Sequence, residues 1–283
     1  MDQTVVAAPG AFNALVARAI RQAGFDAAYV SGGALSVAAG VPDVGILSLD
    51  HFARVVREVA TGCGLPVIAD ADTGFGEEEM VRRTVLEYNH AGAAGLHLED
   101  QVFPKRCGHL DGKALIPTDQ MVSKIEWASK ASSDCSGGKF IICARTDAKG
   151  VEGFDQAIER ARAYVRAGAG MIFPEGLHSD DEFARFADAM RSMGAQAPYM
   201  LANMTEFGKT PMITLDRFGE MGYHIVIFPV STLRIAMGAI ERGLSELKAK
   251  GTLEGQLETM QSRSDLYELM DYTPARPWEM PAN

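Results

Sequence analysis

A thiol among basic residues is the first group with chemical potential. In "KRCGH", Lys105 to His109, Cys107 lies between Arg106 and Gly108, just after the acidic "LED" of residues 98–100. Cationic neighbours favour a thiolate, so such a cysteine can give and recover a proton near neutral pH. The same five residues would also suit an ordinary surface loop. A second set of reactive side chains closes a series of short apolar runs: Asp70 and Asp72, Glu99 and Asp100, Arg145 and Asp147, Glu175, and Asn203, with Ser31, Gly32 and Gly33 ending an earlier run. Asp70 and Asp72 share parity, as do Arg145 and Asp147, so on strands each pair points to one face. Converging carboxylates repel unless a cation neutralises them. An all-oxygen set suits Mg²⁺, with Mn²⁺ as a substitute, and Mg²⁺ keeps several waters, so one or two direct carboxylates suffice. Any one of these acids could instead cap a helix N-terminus. That alternative does not explain all of them together.

The elements that must position these groups alternate along the chain. The apolar runs are "TVVAAP", "DAAYVSGG", "LPVIADAD", "GLHLED", "KFIICARTD", "GMIFPEG", "PYMLANMT" and "HIVIFPV". They are short and rich in Val, Ile and aromatic residues, as strands are. Helical patterns fall between them at 50–61, 77–91, 118–133, 153–168, 179–193 and 214–221; "EEEMVRRTVLEYNHAG" has an acidic first turn and Gly92 as a stop. Eight such repeats without a domain-sized break predict an α/β fold, a (β/α)8 TIM barrel over residues 1–250. The strand-terminal polar groups would then gather on its C-terminal rim. No GxGxxG follows the first run, and "GFGEE" at 74–78 lacks the length and lysine of a phosphate loop. Residues 251–283, ending in "YTPARPWEMPAN", read as a C-terminal helical extension and tail that docks on something, such as another subunit.

Composition bounds the function. The chain has 283 residues, 47% hydrophobic and 23% charged, and no apolar run of membrane-spanning length. Its start, "MDQTVVAAPG", does not read as a signal peptide, so a cytoplasmic location is expected. A net charge of −10 without a long basic tract argues against nucleic acid or anionic membrane as partner. The cysteines at 63, 107, 135 and 143 form no CxxC pair, and Cys63, Cys135 and Cys143 read as inert. His97 shares parity with Glu99 but reads as a buried, hydrogen-bonded histidine rather than a ligand. Arg234 and Arg263 would be solvated helix charges in most proteins.

Six stretches, "YVSGG", "DADTGFG", "LEDQVFPKRCGH", "ARTDA", "FPEG" and "LANMTEFGKTP", resemble the isocitrate lyase and phosphoenolpyruvate mutase superfamily. The likeness runs from "APGAFNALVAR" to "SRSDLYELMDY", and "KRCGH" preceded by "EDQ" is specific for its lyases rather than its mutases. One departure is "PEG" at 174–176 where "PEA" is usual. The resemblance implies Mg²⁺ on Asp70 and Asp72, with Glu99 linked through water. It implies substrate contacts from Ser31, Gly32, Gly33, Cys107, Gly108, Arg145, Glu175, Asn203, Met204, Thr205, Arg234 and Arg263. It places Lys105 to His109 on a closing loop, where Gly108 supplies backbone freedom, and makes C-terminal helices exchanged within a homotetramer the expected assembly.

The implied reaction cleaves 2-methylisocitrate, a tricarboxylate, to pyruvate and succinate in propionate breakdown through the methylcitrate cycle. Tyr29 is the candidate base. Arg145 and Asn203–Thr205 would stabilise the carbanionic succinate half, and Cys107, tuned by Lys105 and His109, would protonate it. Relatives acting on dimethylmalate, oxaloacetate or isocitrate share much of this pattern. A non-catalytic dicarboxylate-binding barrel is the alternative from outside enzymology.

Overall fold

The eight runs become eight parallel strands: β1 (Val6–Pro9), β2 (Ala28–Val30), β3 (Val67–Asp70), β4 (Gly95–Glu99), β5 (Ile141–Thr146), β6 (Met171–Pro174), β7 (Tyr199–Asn203) and β8 (Ile225–Phe228). In this computed structural model, which describes residues 5–106, 108, 112–208 and 210–279, the strand order is β1-β8-β7-β6-β5-β4-β3-β2. A parallel bridge between Gly10 and Tyr29 brings β1 to β2 and nearly completes the ring. The expected (β/α)8 barrel is therefore the observed one.

The helices are α1 (Ala14–Gln22), α2 (Gly32–Ala38), α3 (Leu49–Cys63), α4 (Glu78–His90), α5 (Thr118–Ser136), α6 (Phe154–Arg166), α7 (Asp180–Arg191), α8 (Leu215–Glu220), α9 (Ser231–Lys250) and α10 (Arg263–Leu269). Their ends follow local chemistry. Ser48 caps α3 by accepting from the His51 amide, and Gly64, with φ 62°, closes it. α5 runs three residues past its expected end because Gly137, with φ 64°, is its left-handed stop. Gly32 and Gly33 form the first turn of α2 rather than the end of β2. Ser31 makes this possible, its Oγ accepting the Ala34 amide at 3.2 Å.

Alternation along each strand divides the core in two. Tyr29, Ile68, Cys143, Met171, Phe173, Leu201 and Ile227 point inward and plug the barrel. Residues of opposite parity, such as Val30, Ala69, Leu96, Leu98 and Ile172, pack outward on Val56, Val85, Ile125 and Phe186 of the helices. Burying each large apolar side chain contributes roughly 1.5–3 kcal/mol. Cys63 and Cys143 are buried free thiols and Cys135 is half-buried and free. No helix among the described residues is long and apolar enough to cross a membrane.

Candidate active site

The inward series turns from apolar to polar as each strand rises: Ile68 leads to Asp70, Cys143 to Arg145, Phe173 to Glu175, Leu201 to Asn203. Register then sets these groups side by side. Asp70 pairs with His97 across β3 and β4, and Glu99 with Arg145 across β4 and β5. All four are buried, at the C-terminal mouth where barrels of this kind assemble their sites.

Asp70 is fixed by two backbone amides, Gly32 N to Oδ2 and Asp72 N to Oδ1, each at 3.0 Å. Burial opposes its charge, but His97, Lys105, Arg145 and the Asp72 amide outweigh that and lower its pKa. Asp72, buried beside Asp70, is pushed up to about 6 despite Lys105. Lys105 Nζ lies 2.9 Å from Asp72 Oδ1 and also pairs with Asp43. Burial disfavours this ammonium, yet Glu99, Asp72, Asp70 and Asp43 together raise its pKa. Burial raises the pKa of Glu99 well above the carboxylate range, although Arg145 Nε is only 3.3 Å away.

Arg145 is clamped by Asp147, with Nε to Oδ2 at 2.9 Å and Nη2 to Oδ1 at 3.2 Å. This fork fixes the guanidinium plane; Nη1 stands 3.9 Å from Glu175 Oε2, and the guanidinium lies 5.2 Å from the Phe173 ring centre. Asp147 is in turn held by Lys113 at 2.7 Å and by Asp100, which accepts its amide at 2.9 Å. Lys113 Nζ also donates to Gly108 O at 2.5 Å. One lysine thus joins the loop after β4 to the carboxylate that orients Arg145. At the base of this loop the Gln101 side chain makes two 2.9 Å bonds to the Arg106 backbone. Gly108 packs against the Arg145 and Glu175 side chains. What it supplies is space: a Cβ there would overlap the Arg145 guanidinium and come within 2.6 Å of Glu175 Cγ.

Tyr29 Oη and His97 Nε2 are 2.6 Å apart, and His97 Nδ1 faces Asp70 Oδ1 at 3.7 Å. Burial pushes His97 down to about 4 and, with Asp70, raises Tyr29 well above the phenol range. The pair is therefore a phenol against a neutral imidazole. At the lip, Asn203 Nδ2 donates to Glu175 Oε2 at 3.2 Å. Arg234 Nη1 donates to Glu206 O at 2.5 Å, Glu206 Oε2 at 3.0 Å and Thr205 Oγ1 at 3.4 Å.

The resulting cavity, about 150 Å³, is lined by Tyr29, Ser31, Gly33, Asp70, Lys105, Gly108, Arg145, Glu175, Asn203, Thr205 and Arg234 among others. Its walls suit a small, multiply charged acid. Three expected contacts differ. The Gly32 amide is spent on Asp70. Met204 is buried in the outer core with Sδ accepting the Ile213 amide at 3.3 Å, since it has opposite parity to Asn203 and Thr205. Arg263 begins α10 in the C-terminal segment, is exposed and lines no part of this cleft. Cys107 and His109 lie outside the described residues. Asp43, Gln101 and Lys113 carry no strand-end signal and were not expected.

Among the described residues no three His, Cys, Asp or Glu side chains converge as a direct ligand set. A hydrated cation held by two carboxylates still fits. Glu99 Oε1 is buried without a hydrogen-bond partner among the described residues, Asp72 Oδ1 and Glu99 Oε2 face the cations Lys105 at 2.9 Å and Arg145 at 3.3 Å, and a Cβ on Gly32 would meet Asp70 Oδ2 at 2.8 Å and Asp72 Oδ1 at 3.0 Å. Hard oxygen donors grouped this way suit Mg²⁺.

Comparison with known proteins gives a consistent set. A family model described as phosphoenolpyruvate phosphomutase matches residues 1–248. A Corynebacterium glutamicum protein named "Probable 2-methylisocitrate lyase 1" is 53% identical over 93% of this chain and 84% of its own length. The crystal structure of 2,3-dimethylmalate lyase, a PEP mutase/isocitrate lyase superfamily member, superposes with a TM-score of 0.87 at 35% identity, covering 95% of this chain and 87% of that one. A phosphonopyruvate hydrolase in complex with oxalate and Mg²⁺ superposes at 0.82 with 29% identity, covering 94% and 90%.

Proposed function

Because the chain belongs to the PEP mutase/isocitrate lyase superfamily, we propose that it is a Mg²⁺-dependent carbon–carbon lyase cleaving 2-methylisocitrate to pyruvate and succinate. The observation that carries this reading is the convergence of Asp70, Asp72 and Glu99 with Lys105 and Arg145 at one barrel mouth, beneath the Gly108 backbone. Asp70 and Asp72 would hold Mg²⁺, with Glu99 reached through water; bound there, the ion supplies Lewis-acid polarisation of the substrate hydroxyl and its neighbouring carboxylate.

The chain's own groups account for the proton movements. Tyr29 is a poor phenolate, so it acts as base only by passing its proton to His97 Nε2 as it takes the hydroxyl proton. The 2.6 Å contact and the neutral imidazole support that relay. Ser31 and Gly33 bind the carboxylate of the pyruvate half. Arg145, held rigid by Asp147, and Asn203 with Thr205 stabilise charge developing on the succinate half. Cys107 delivers the final proton to carbon. Arg234, tethered through Nη1, presents its remaining edge to the extra carboxylate that distinguishes a tricarboxylate from a dicarboxylate.

A pyruvate-coupled assay across 2-methylisocitrate, isocitrate, 2,3-dimethylmalate and oxaloacetate, with and without EDTA, tests the assignment. The expected result is Mg²⁺-dependent turnover with the highest kcat/KM for 2-methylisocitrate. Preference for dimethylmalate would make the chain a functional counterpart of the dimethylmalate lyase it superposes on. Cys107→Ser should keep fold and Mg²⁺ binding but lose roughly 10²–10⁴-fold in turnover; near-parental activity removes the donor role.

The assembly is proposed as a homotetramer that exchanges C-terminal helices, a role expected of residues 251–283 and extended here to α9. Leu233, Met237, Ile240, Leu244 and Leu247 form a helical stripe on α9, yet only Leu233 is buried. Beside α1 and α8 lies an apolar groove lined by Val16, Ile20, Phe25, Met212, Leu215 and Phe228. A matching helix from another copy would fill it.

A further inference from the structure

We propose that Lys124 is a positioning residue for the divalent cation, setting its affinity by holding the turn that presents Asp72; this rests on the metal assignment above. Lys124 lies on α5, outside the cleft, and its ammonium is buried. Nζ donates to the carbonyls of Gly76 at 2.8 Å and Thr73 at 3.2 Å. Glu77 Oε2 stands 3.5 Å away. An ammonium taken out of water needs partners for its three N–H groups. Here the close partners are backbone oxygens of the β3–α4 turn.

That turn is a demanding piece of chain. Asp72, Gly74, Phe75 and Gly76 all have positive φ, at 46°, 95°, 59° and 152°. Such a conformation is costly for a residue with a Cβ and persists where its surroundings impose it, and two of the four are not glycine. The other clamps come from α4. Thr84 Oγ1 donates to Gly74 O at 3.2 Å, and Tyr88 Oη to Asp70 O at 2.7 Å. Lys124 is the charged member of this set, and it spans the turn from Thr73 to Gly76 directly after Asp72. The same face of α5 grips the start of α4, with Gln120 on Glu77 at 3.1 Å and Ser123 on Glu78 at 2.7 Å. α5 thus fixes the metal-binding turn from behind without touching the ion.

Groups that orient a metal ligand typically contribute 10- to 100-fold in affinity. In the full chain, Lys124→Met should weaken Mg²⁺ binding by about that factor, read by calorimetry and by the spectrum of bound Mn²⁺. Saturating Mg²⁺ should restore most turnover. Lys124→Gln, which keeps a shorter donor, should weaken binding less and serves if the Met variant does not fold. A helix-docking role alone would lower the melting temperature and leave Mg²⁺ affinity at the parental value; that result overturns the proposal. Asp72→Asn is measured alongside. If it binds Mg²⁺ as the parent does, the metal assignment itself is wrong, and the role of Lys124 falls with it.

Discussion

Lys105 Nζ lies 2.9 Å from Asp72 Oδ1 and contacts Asp43 as well, so one buried ammonium serves two carboxylates from different loops. Removing one partner of a buried ionic group leaves the others uncompensated, at a cost of about 3–5 kcal/mol. Lys105→Met should therefore lose stability of that order in denaturant titrations without divalent cation. Mg²⁺ should stabilise the variant more than the parent, because a cation on Asp72 replaces the missing charge. Equal Mg²⁺ stabilisation of both proteins would show that Lys105 and the cation do not answer the same carboxylate.

Arg145 owes its orientation to the two-pronged Asp147 contact. Lysine preserves the charge but cannot reproduce a planar fork. Arg145→Lys should lower kcat/KM by roughly 10²–10³-fold, the usual consequence of losing a preorganised donor to developing charge. Steady-state kinetics at saturating Mg²⁺ decide this. A loss below tenfold would make Arg145 a structural ion-pair member only.

How these residues came together was partly legible in their spacing. Period-two alternation is a local property, so Asp70 with Asp72, and Arg145 with Asp147, could be assigned to one face before any fold was known. The same rule applied to "NMT" would have set Met204 apart from Asn203 and Thr205. Gly32 and Gly33 were misplaced because their helix depends on a Ser31 cap and on an amide committed to Asp70, both set by tertiary contact. Asp43, Gln101 and Lys113 left no trace of their roles. Each acts through a partner 5 to 62 positions away, in loops whose polar residues look like any others. At Gly108 the packed neighbours show a need for space, which no pattern in the sequence carries.

That need gives a direct test. In Gly108→Ala the added methyl presses on Glu175 and Arg145, both of which line the cleft. The melting temperature should stay near the parental value while kcat/KM falls about 10²-fold, the cost of displacing reacting groups by around an ångström. Parental kinetics would mean that the loop after β4 sits farther from Arg145 during turnover.

The last prediction concerns α9. Ile240 and Leu244 are 49% and 59% exposed and sit on the stripe that continues from buried Leu233. A contiguous apolar face on this scale marks an interaction surface. Neither residue lines the cleft, so charges there should act on assembly before chemistry. Ile240→Asp with Leu244→Asp should shift the mass measured by light scattering from tetramer toward smaller species and leave the barrel folded. A parent that is monomeric at the concentrations assayed, or a double variant that keeps the parental mass, would leave α9 without the exchanged role assigned to it.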